Sequence, residues 1–501
     1  MSSFSNALRL SDLNDFLAPS QSCIKPMLDA ASAPPTASGA SAAAGSRKKA
    51  HIEIGVDGQY SEVSADGSTR VPLPQAKITL NDCLACSGCV TSAETVLITA
   101  QSVDQVRADL AAALAHVPPR PVVVTLASQS VASLAARHNL SMLATYRRLV
   151  HVLRSQFGVA RVCDAAFARD VALLETLDEF VARRRDSQPL PLLASSCPGW
   201  VCYAEKAHGA LVLPFMSRTK SPQQLMGSLV RQLLAPQLAC AASDIYHLAV
   251  MPCFDKKLEA SRNEFARDVD CVIATNELPA LLNECDFVAL PEAPLDESDL
   301  LLSNVDNSGL AASTAGGSGG YAEFILRHAP ARLLGAEAAA ACSVKPWVSG
   351  RNKDLQTAEV VDAHGAVVLK VAVVNGFRNI QTLVSWLKKG AKIDFVEVMA
   401  CPSGCVNGGG QLRPVAENDR APTRTDGERL LSAVHARYAE IALRPELTDE
   451  NSRAFRIWQQ WRATEPPATE PVDEATYRAS LLRTQYFIRE AVATNPLAIK
   501  W

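Results

Sequence analysis

Two sets of cysteines in this 501-residue chain have spacings that could hold metal. The run "CLACSGC" places Cys83, Cys86 and Cys89 three residues apart. A short loop of that kind aims each sulfur inward at a different iron of one cubane. Zinc sites more often use two separated Cys-x-x-Cys pairs, so the run predicts a [4Fe-4S] cluster. A fourth ligand is missing locally. Cys23, in "PSQSCIKP", is the only cysteine upstream, and the residues between are numerous enough to let it return.

The second set is Cys197 in "SSCPGW", Cys253 in "MPCFDKKLE", and the pair Cys401 and Cys405 in "MACPSGCVNGGGQ". A spacing of four puts the last two on one side of a turn, within reach of one cubane. The glycines at 408–410 let the backbone come close, and their amides can then donate to sulfur and tune a cluster's potential. Four thiolates and a cubane leave net negative charge in a poorly solvated place. Lys220 and Lys256 are the candidate cations. Six cysteines stand singly in apolar or helical surroundings: Cys163, Cys202, Cys240, Cys271, Cys285 and Cys342. They read as small core hydrophobes. The nine histidines show no ligand spacing.

The elements that must position these thiols are legible from about residue 118 onward. Short β-branched runs alternate with longer amphipathic ones. The strand candidates are 120–127, 160–165, 190–195, 246–251, 271–275, 368–374 and 394–399, with helical patterns such as 140–157 and 221–234 between them. Such alternation argues one or two mostly parallel sheets, folds in which ligands collect at the carboxyl ends of strands. Cys197, Cys253 and Cys401 each come just after a strand candidate. The stretch "AGGSGGYAEFI" (315–325) is a glycine turn opening a helix, and it lacks the Lys-Ser/Thr ending of a phosphate loop.

Composition closes off other functions. With 48% hydrophobic and 20% charged residues the chain is ordinary globular material, long enough for two or three domains or one bilobal core. A net charge of −3 offers no electrostatic case for nucleic acid. No run approaches the ~20 apolar residues of a membrane span, and the N-terminus lacks the pattern of a signal peptide. The expectation is an intracellular protein with reduced thiols, where patterned cysteines serve metal or catalytic chemistry.

The segments "SSCPGW", "SRTKSPQQLMGSL", "MPCFDKKLE", "GGSGGYAE" and "EVMACPSGCVNGGGQ" resemble, in that order, the signature segments of the [FeFe]-hydrogenase catalytic domain, over roughly residues 118–415. The start "FSNALRLSDLNDFLAPSQSCIKP", the run "LNDCLACSGCVTSAE" and the C-terminal "YRASLLRTQYF" resemble the eukaryotic hydrogenase-like proteins of cytosolic iron–sulfur assembly, the Nar family. The departures bear on activity. Where hydrogenases carry a proton-relay cysteine this chain has Ser196, whose hydroxyl is far less acidic than a thiol of pKa ~8.5. Lys256 and Glu259 fall where hydrogenases place a lysine that contacts the di-iron ligand and a relay glutamate. The extra ferredoxin-like domains of many hydrogenases are absent.

The resemblance implies an α/β fold with a two-lobed [FeFe]-hydrogenase-like core of parallel sheets flanked by helices, a small N-terminal iron–sulfur segment and a helical C-terminal extension. The expected organisation is an N-terminal segment with one ligand (1–27), a low-complexity insertion and linker (28–70), an iron–sulfur loop region (71–117), the two-lobed domain (118–445), and a helical wrap with a partner-binding tail (446–501). It implies no bond-making catalysis. Two [4Fe-4S] clusters would be held by Cys23, Cys83, Cys86 and Cys89, and by Cys197, Cys253, Cys401 and Cys405. The protein would link a cluster scaffold complex to a targeting complex with a WD-repeat propeller subunit, in the cytosol, with the nucleus also open. Ile499 and Trp501 in "NPLAIKW" would insert into that partner's pocket, although Lys500 stands where the family pattern has an acidic or small residue. The rival readings are an active [FeFe]-hydrogenase and a lamin-associated binding protein with structural clusters.

Overall fold

A computed structural model describes residues 97–489 apart from short gaps, together with the backbone of 51–54, 60–63 and 70–72. Cys23, Cys83, Cys86, Cys89, Ile499 and Trp501 lie outside the described residues. Strands His51–Ile54, Tyr60–Val63 and Arg70–Pro72 form a small antiparallel sheet. Part of the span expected to be linker is therefore strand.

From residue 120 the chain alternates as its pattern predicts. β1 (Val122–Leu126) leads to helices α1 (Ser128–His138) and α2 (Met142–Phe157), then β2 (Arg161–Asp164) and the long α3 (Ala165–Arg185). β3 (Leu192–Ala194), α4 (Pro198–Ala207) and α5 (Pro222–Leu229) follow, then β4 (Tyr246–Met251), α6 (Asp255–Ala260) and β5 (Cys271–Ala274). Next come α7 (Tyr321–Leu334), β6 (Leu355–Val361), β7 (Val367–Asn375), α8 (Phe377–Lys388) and β8 (Phe395–Met399), and last α9 (Arg424–Tyr438) and α10 (Arg453–Ala463). Local chemistry sets several ends. Ser141 caps α2 by accepting from Ala144 N–H, and Gly158 ends it in the left-handed region at φ 61°.

Two sheets result. One is wholly parallel, in the order β2-β1-β4-β5. The other runs β6-β7-β8-β3, parallel from β7 to β3 and antiparallel between β6 and β7. β6 is a strand that the sequence pattern does not single out. Its antiparallel pairing needs only the turn at Gly365, where φ is +82°, with no helical crossover to announce it.

Each sheet has its own apolar core. Val124, Leu149 and Ile273 are fully buried in the first, and Phe180, Phe395 and Val371 in the second. α3 is enclosed on so many sides that many of its polar groups are buried too, and its buried glutamates are paired. Glu179 takes Arg183 and Ser217, and Glu175 takes Trp458 Nε1 at 2.9 Å and Arg483 Nε at 2.6 Å. The last two pairs fasten α10 and the C-terminal segment to α3. Among the described residues no helix is long and apolar enough to cross a membrane.

Candidate metal centre

Cys197 stands three residues beyond β3, at the N-cap of α4, with Pro198 at the first helical position. Its sulfur accepts from Ala400 N–H at 3.4 Å and from the Trp200 amide. Both donors and the helix N-terminus favour a thiolate there. Ser195 fixes the approach: its Oγ donates to Val398 O at 2.6 Å and accepts from Cys197 N–H at 3.0 Å. The end of β3 is thus tied to β8, its parallel neighbour.

Cys401 follows β8 by two residues. The spacing to Cys405 is not a helical turn. Ser403 and Gly404 take the left-handed region at φ 59° and 75°, and a short 3-10 turn begins only at Cys405. The chain thereby folds back, and both thiols face one side. Ser318 pins the bend, accepting from Cys405 N–H at 2.8 Å. A Cβ on Gly404 would fall 2.1 Å from that same hydroxyl oxygen.

Cys253 stands two residues beyond β4, at the carboxyl edge of the other sheet. The glycines after Cys405 bring it in. Gly410 N–H donates to Pro252 O at 2.9 Å, and a Cβ there would meet Cys253 Cα at 3.2 Å and Ala274 Cβ at 2.7 Å. The Gly409 amide donates to Cys401 sulfur, as the sequence predicts for this stretch.

Cys197, Cys253, Cys401 and Cys405 line a single cavity of ≈ 740 Å³, open mouth included, together with Ser196, Lys256 and Met399. Burial pushes the Cys197 thiol up to about 12, with Asp255 and Cys405 adding to the effect. Cys253, Cys401 and Cys405 are raised as well, again chiefly by burial. For Cys253 and Cys401 the other thiols contribute. Ser318 and Lys256 oppose the shift at Cys405. Four thiolates here require compensating positive charge, which metal ions supply with release of protons. Among the described residues no three His, Cys, Asp or Glu side chains converge on a place for a single metal ion. Zinc thiolates must all lie about 2.3 Å from one point. The donor set and its amide hydrogen bonds suit a cubane.

Of the candidate cations only Lys256 lines the cavity, with Nζ donating to Ser221 Oγ at 3.2 Å and paired to Glu259. Lys220 is buried at Ser228 and Asp268, at 3.0 and 3.2 Å, and does not line it. The expectation for Lys220 is corrected: both ammonium groups pair with a carboxylate, but only Lys256 also lines the cavity. Of the six single cysteines, Cys163 and Cys271 are fully buried, whereas Cys202, Cys240, Cys285 and Cys342 are only half-buried.

The glycine turn before α7 binds an anion of the chain's own. Glu397, buried in β8, accepts from Gly319, Gly320 and Ala322 N–H at 3.1, 3.0 and 3.0 Å. This carboxylate holds the loop that presents Ser318 to Cys405. Neither residue is marked by the sequence as part of the site. The acidic residue inside the otherwise apolar run "FVEVM" was the available signal.

Comparison with known proteins agrees with this geometry. The profile of the iron only hydrogenase large subunit, C-terminal domain, matches residues 120–409. A cytosolic iron-sulfur assembly component 3 of Mus musculus is 45% identical over 516 residues, covering 100% of both chains. A cytosolic Fe-S cluster assembly factor of Xenopus tropicalis is 42% identical over 513 residues, again covering 100% of both. Among solved structures, an apo [FeFe]-hydrogenase from Chlamydomonas reinhardtii superposes with a TM-score of 0.60 at 26% identity, covering 77% of this chain and 99% of that one. The chain belongs to the iron-only hydrogenase large-subunit family and, within it, to the eukaryotic hydrogenase-like proteins of cytosolic iron–sulfur assembly, the Nar family.

Proposed function

We propose that this chain is a two-cluster iron–sulfur protein of the cytosolic assembly machinery, linking a cluster scaffold to the complex that targets clusters to apoproteins. The observation that carries the reading is the meeting of Cys197, Cys253, Cys401 and Cys405 from three strand ends of two sheets around one cavity. A bound cubane supplies a thiolate-held iron–sulfur unit whose potential answers to hydrogen bonds and burial. The chain's own part is to hold the four sulfurs, donate amides to them and shield them from water. Cys23, Cys83, Cys86 and Cys89 would hold the second cluster. The relatives' names support the assembly role and the cytosol, and the tail residues Ile499 and Trp501 would engage the targeting complex.

No bond-making step is assigned. Ser196 lines the cavity where a proton-relay thiol would be needed, and its Oγ lies 3.8 Å from the Met399 sulfur. One observation favours the hydrogenase reading: the Lys256–Glu259 pair lies beside the cavity. Iron and acid-labile sulfide analysis of anaerobically purified protein tests the proposal. Close to eight of each per chain are expected for two cubanes. Zinc without sulfide would overturn it, and carbonyl and cyanide bands in the infrared would establish the hydrogenase instead.

A further inference from the structure

Glu205 lies outside the cavity, on the helix that starts at Cys197. Its side chain is 0% exposed, yet it carries four donors from two distant parts of the chain. On one side Arg262 clamps both carboxylate oxygens, with Nη1 at 3.0 Å and Nη2 at 2.7 Å. Arg262 directly follows α6 and its Ser261 cap, and α6 begins just after Cys253. On the other side lies the C-terminal segment. Phe487 N–H donates to Glu205 Oε1 at 3.1 Å and Arg489 Nε to Oε2 at 3.2 Å, while Arg489 N–H donates to the Glu205 carbonyl at 3.1 Å.

That segment continues as a strap toward the cavity. Thr484 N–H donates to Arg218 O at 2.7 Å, and Lys220 N–H to Leu482 O at 2.9 Å. The paired residues 218–220 lead straight into Ser221, which takes Lys256, and into Pro222 and Gln223 of the cavity wall. Packing is close along its length: a Cβ on Gly209 would lie 3.0 Å from Ile488 Cγ1.

We propose that Glu205 is a positioning residue for the metal centre, joining the Cys197 helix and the Cys253 loop to the C-terminal strap, so that the seating of the strap sets how readily the centre opens. The physical reason is the cost of separating buried, charge-assisted contacts. A carboxylate that satisfies two guanidinium groups and an amide holds all three elements in one geometry: moving the Cys253 loop takes away the bidentate Arg262 partner of a buried charge, and moving the strap takes away the Phe487 amide and the Arg489 guanidinium. The inference rests on the cluster reading of the four cysteines.

The test uses the full-length protein, purified anaerobically, with Glu205→Gln, Arg489→Ala and Arg489→Lys. Three quantities are read: the rate at which a chelator removes iron, the electron paramagnetic resonance signature of the reduced protein, and the alkylation rate of Cys197 and Cys253 after metal removal. Glu205→Gln and Arg489→Ala are expected to lose the iron of the buried four-cysteine centre several-fold faster and to shift the signature. Arg489→Lys is expected to restore both toward the parent. Alkylation of the two thiols should accelerate in the same order. Parental rates and an unshifted signature in both variants would overturn the proposal. If Glu205→Gln fails to fold, Arg489→Ala decides, because it leaves the Arg262 clamp in place. A parent protein without iron would remove the cluster reading instead. Equal alkylation in parent and Arg489→Ala would then remove this one.

Discussion

The Cβ that Gly408 lacks would fall 2.3 Å from the carbonyl oxygen of Pro252. That contact joins the loop after Cys405 to the residue before Cys253, and hence one sheet to the other. Gly408→Ala must separate the two loops. The strain should destabilise the fold by about 1–3 kcal/mol, with loss of iron. Gly350 has nothing within 4 Å of its missing Cβ, so Gly350→Ala should stay within about 0.5 kcal/mol. Denaturant unfolding and iron analysis of the two variants measure the contrast.

Half-buried Cys405 and fully buried Cys163 both have thiols of raised pKa, yet only Cys405 faces the cavity. Cys405→Ala should lose about half the iron and lower the unfolding temperature, because metal-binding free energy is also folding free energy. Cys163→Ala should keep both clusters. Equal iron loss in the two variants would show that ligands and core cysteines had been sorted wrongly.

His247 is held neutral in the core. Burial lowers its pKa from 6.5 to about 4, while Thr125 Oγ1 lies 2.7 Å from Nε2 and Asp268 O lies 2.9 Å from Nδ1. Between those pH values the unfolded chain binds a proton that the folded chain refuses. Stability from this group is therefore full above pH 6.5 and is lost as pH falls toward 4. Asp164, pushed up to about 6 by burial, works in the opposite sense over part of this window. The useful quantity is the difference between parent and variant. His247→Gln should flatten the acid limb of stability against pH, and an unchanged slope would contradict the assignment.

Trp501 is expected to contribute through a partner. Burying an indole is worth roughly 2–3 kcal/mol, so deleting Trp501 should weaken capture of the targeting complex by roughly thirty- to a hundredfold. Both clusters should stay in place. A truncated protein that still binds at full strength would take the tail out of the mechanism.

The sequence by itself grouped Cys197, Cys253, Cys401 and Cys405, which line one cavity, and pointed to the fold that carries them. Strand periodicity is local, so all seven strand candidates from 120 to 399 are strands, and Cys197, Cys253 and Cys401 stand at their carboxyl ends because a residue count from each strand is a local property too. What only the tertiary structure decided involves partners remote in the chain. Lys256 and Lys220 carry the same charge and both read as plausible counterions, but one faces the cavity and the other is held by Asp268. Ser318 and Glu397 are ordinary residues until folding brings one to Cys405 and wraps the other in three amides. The sides of Cys401 and Cys405 depend on left-handed backbone at Ser403 and Gly404, and Glu205 acquires its clamp from residues 57 and 284 positions away. Charge pairing and backbone reversal are settled by which surfaces meet, and no count along the chain contains that.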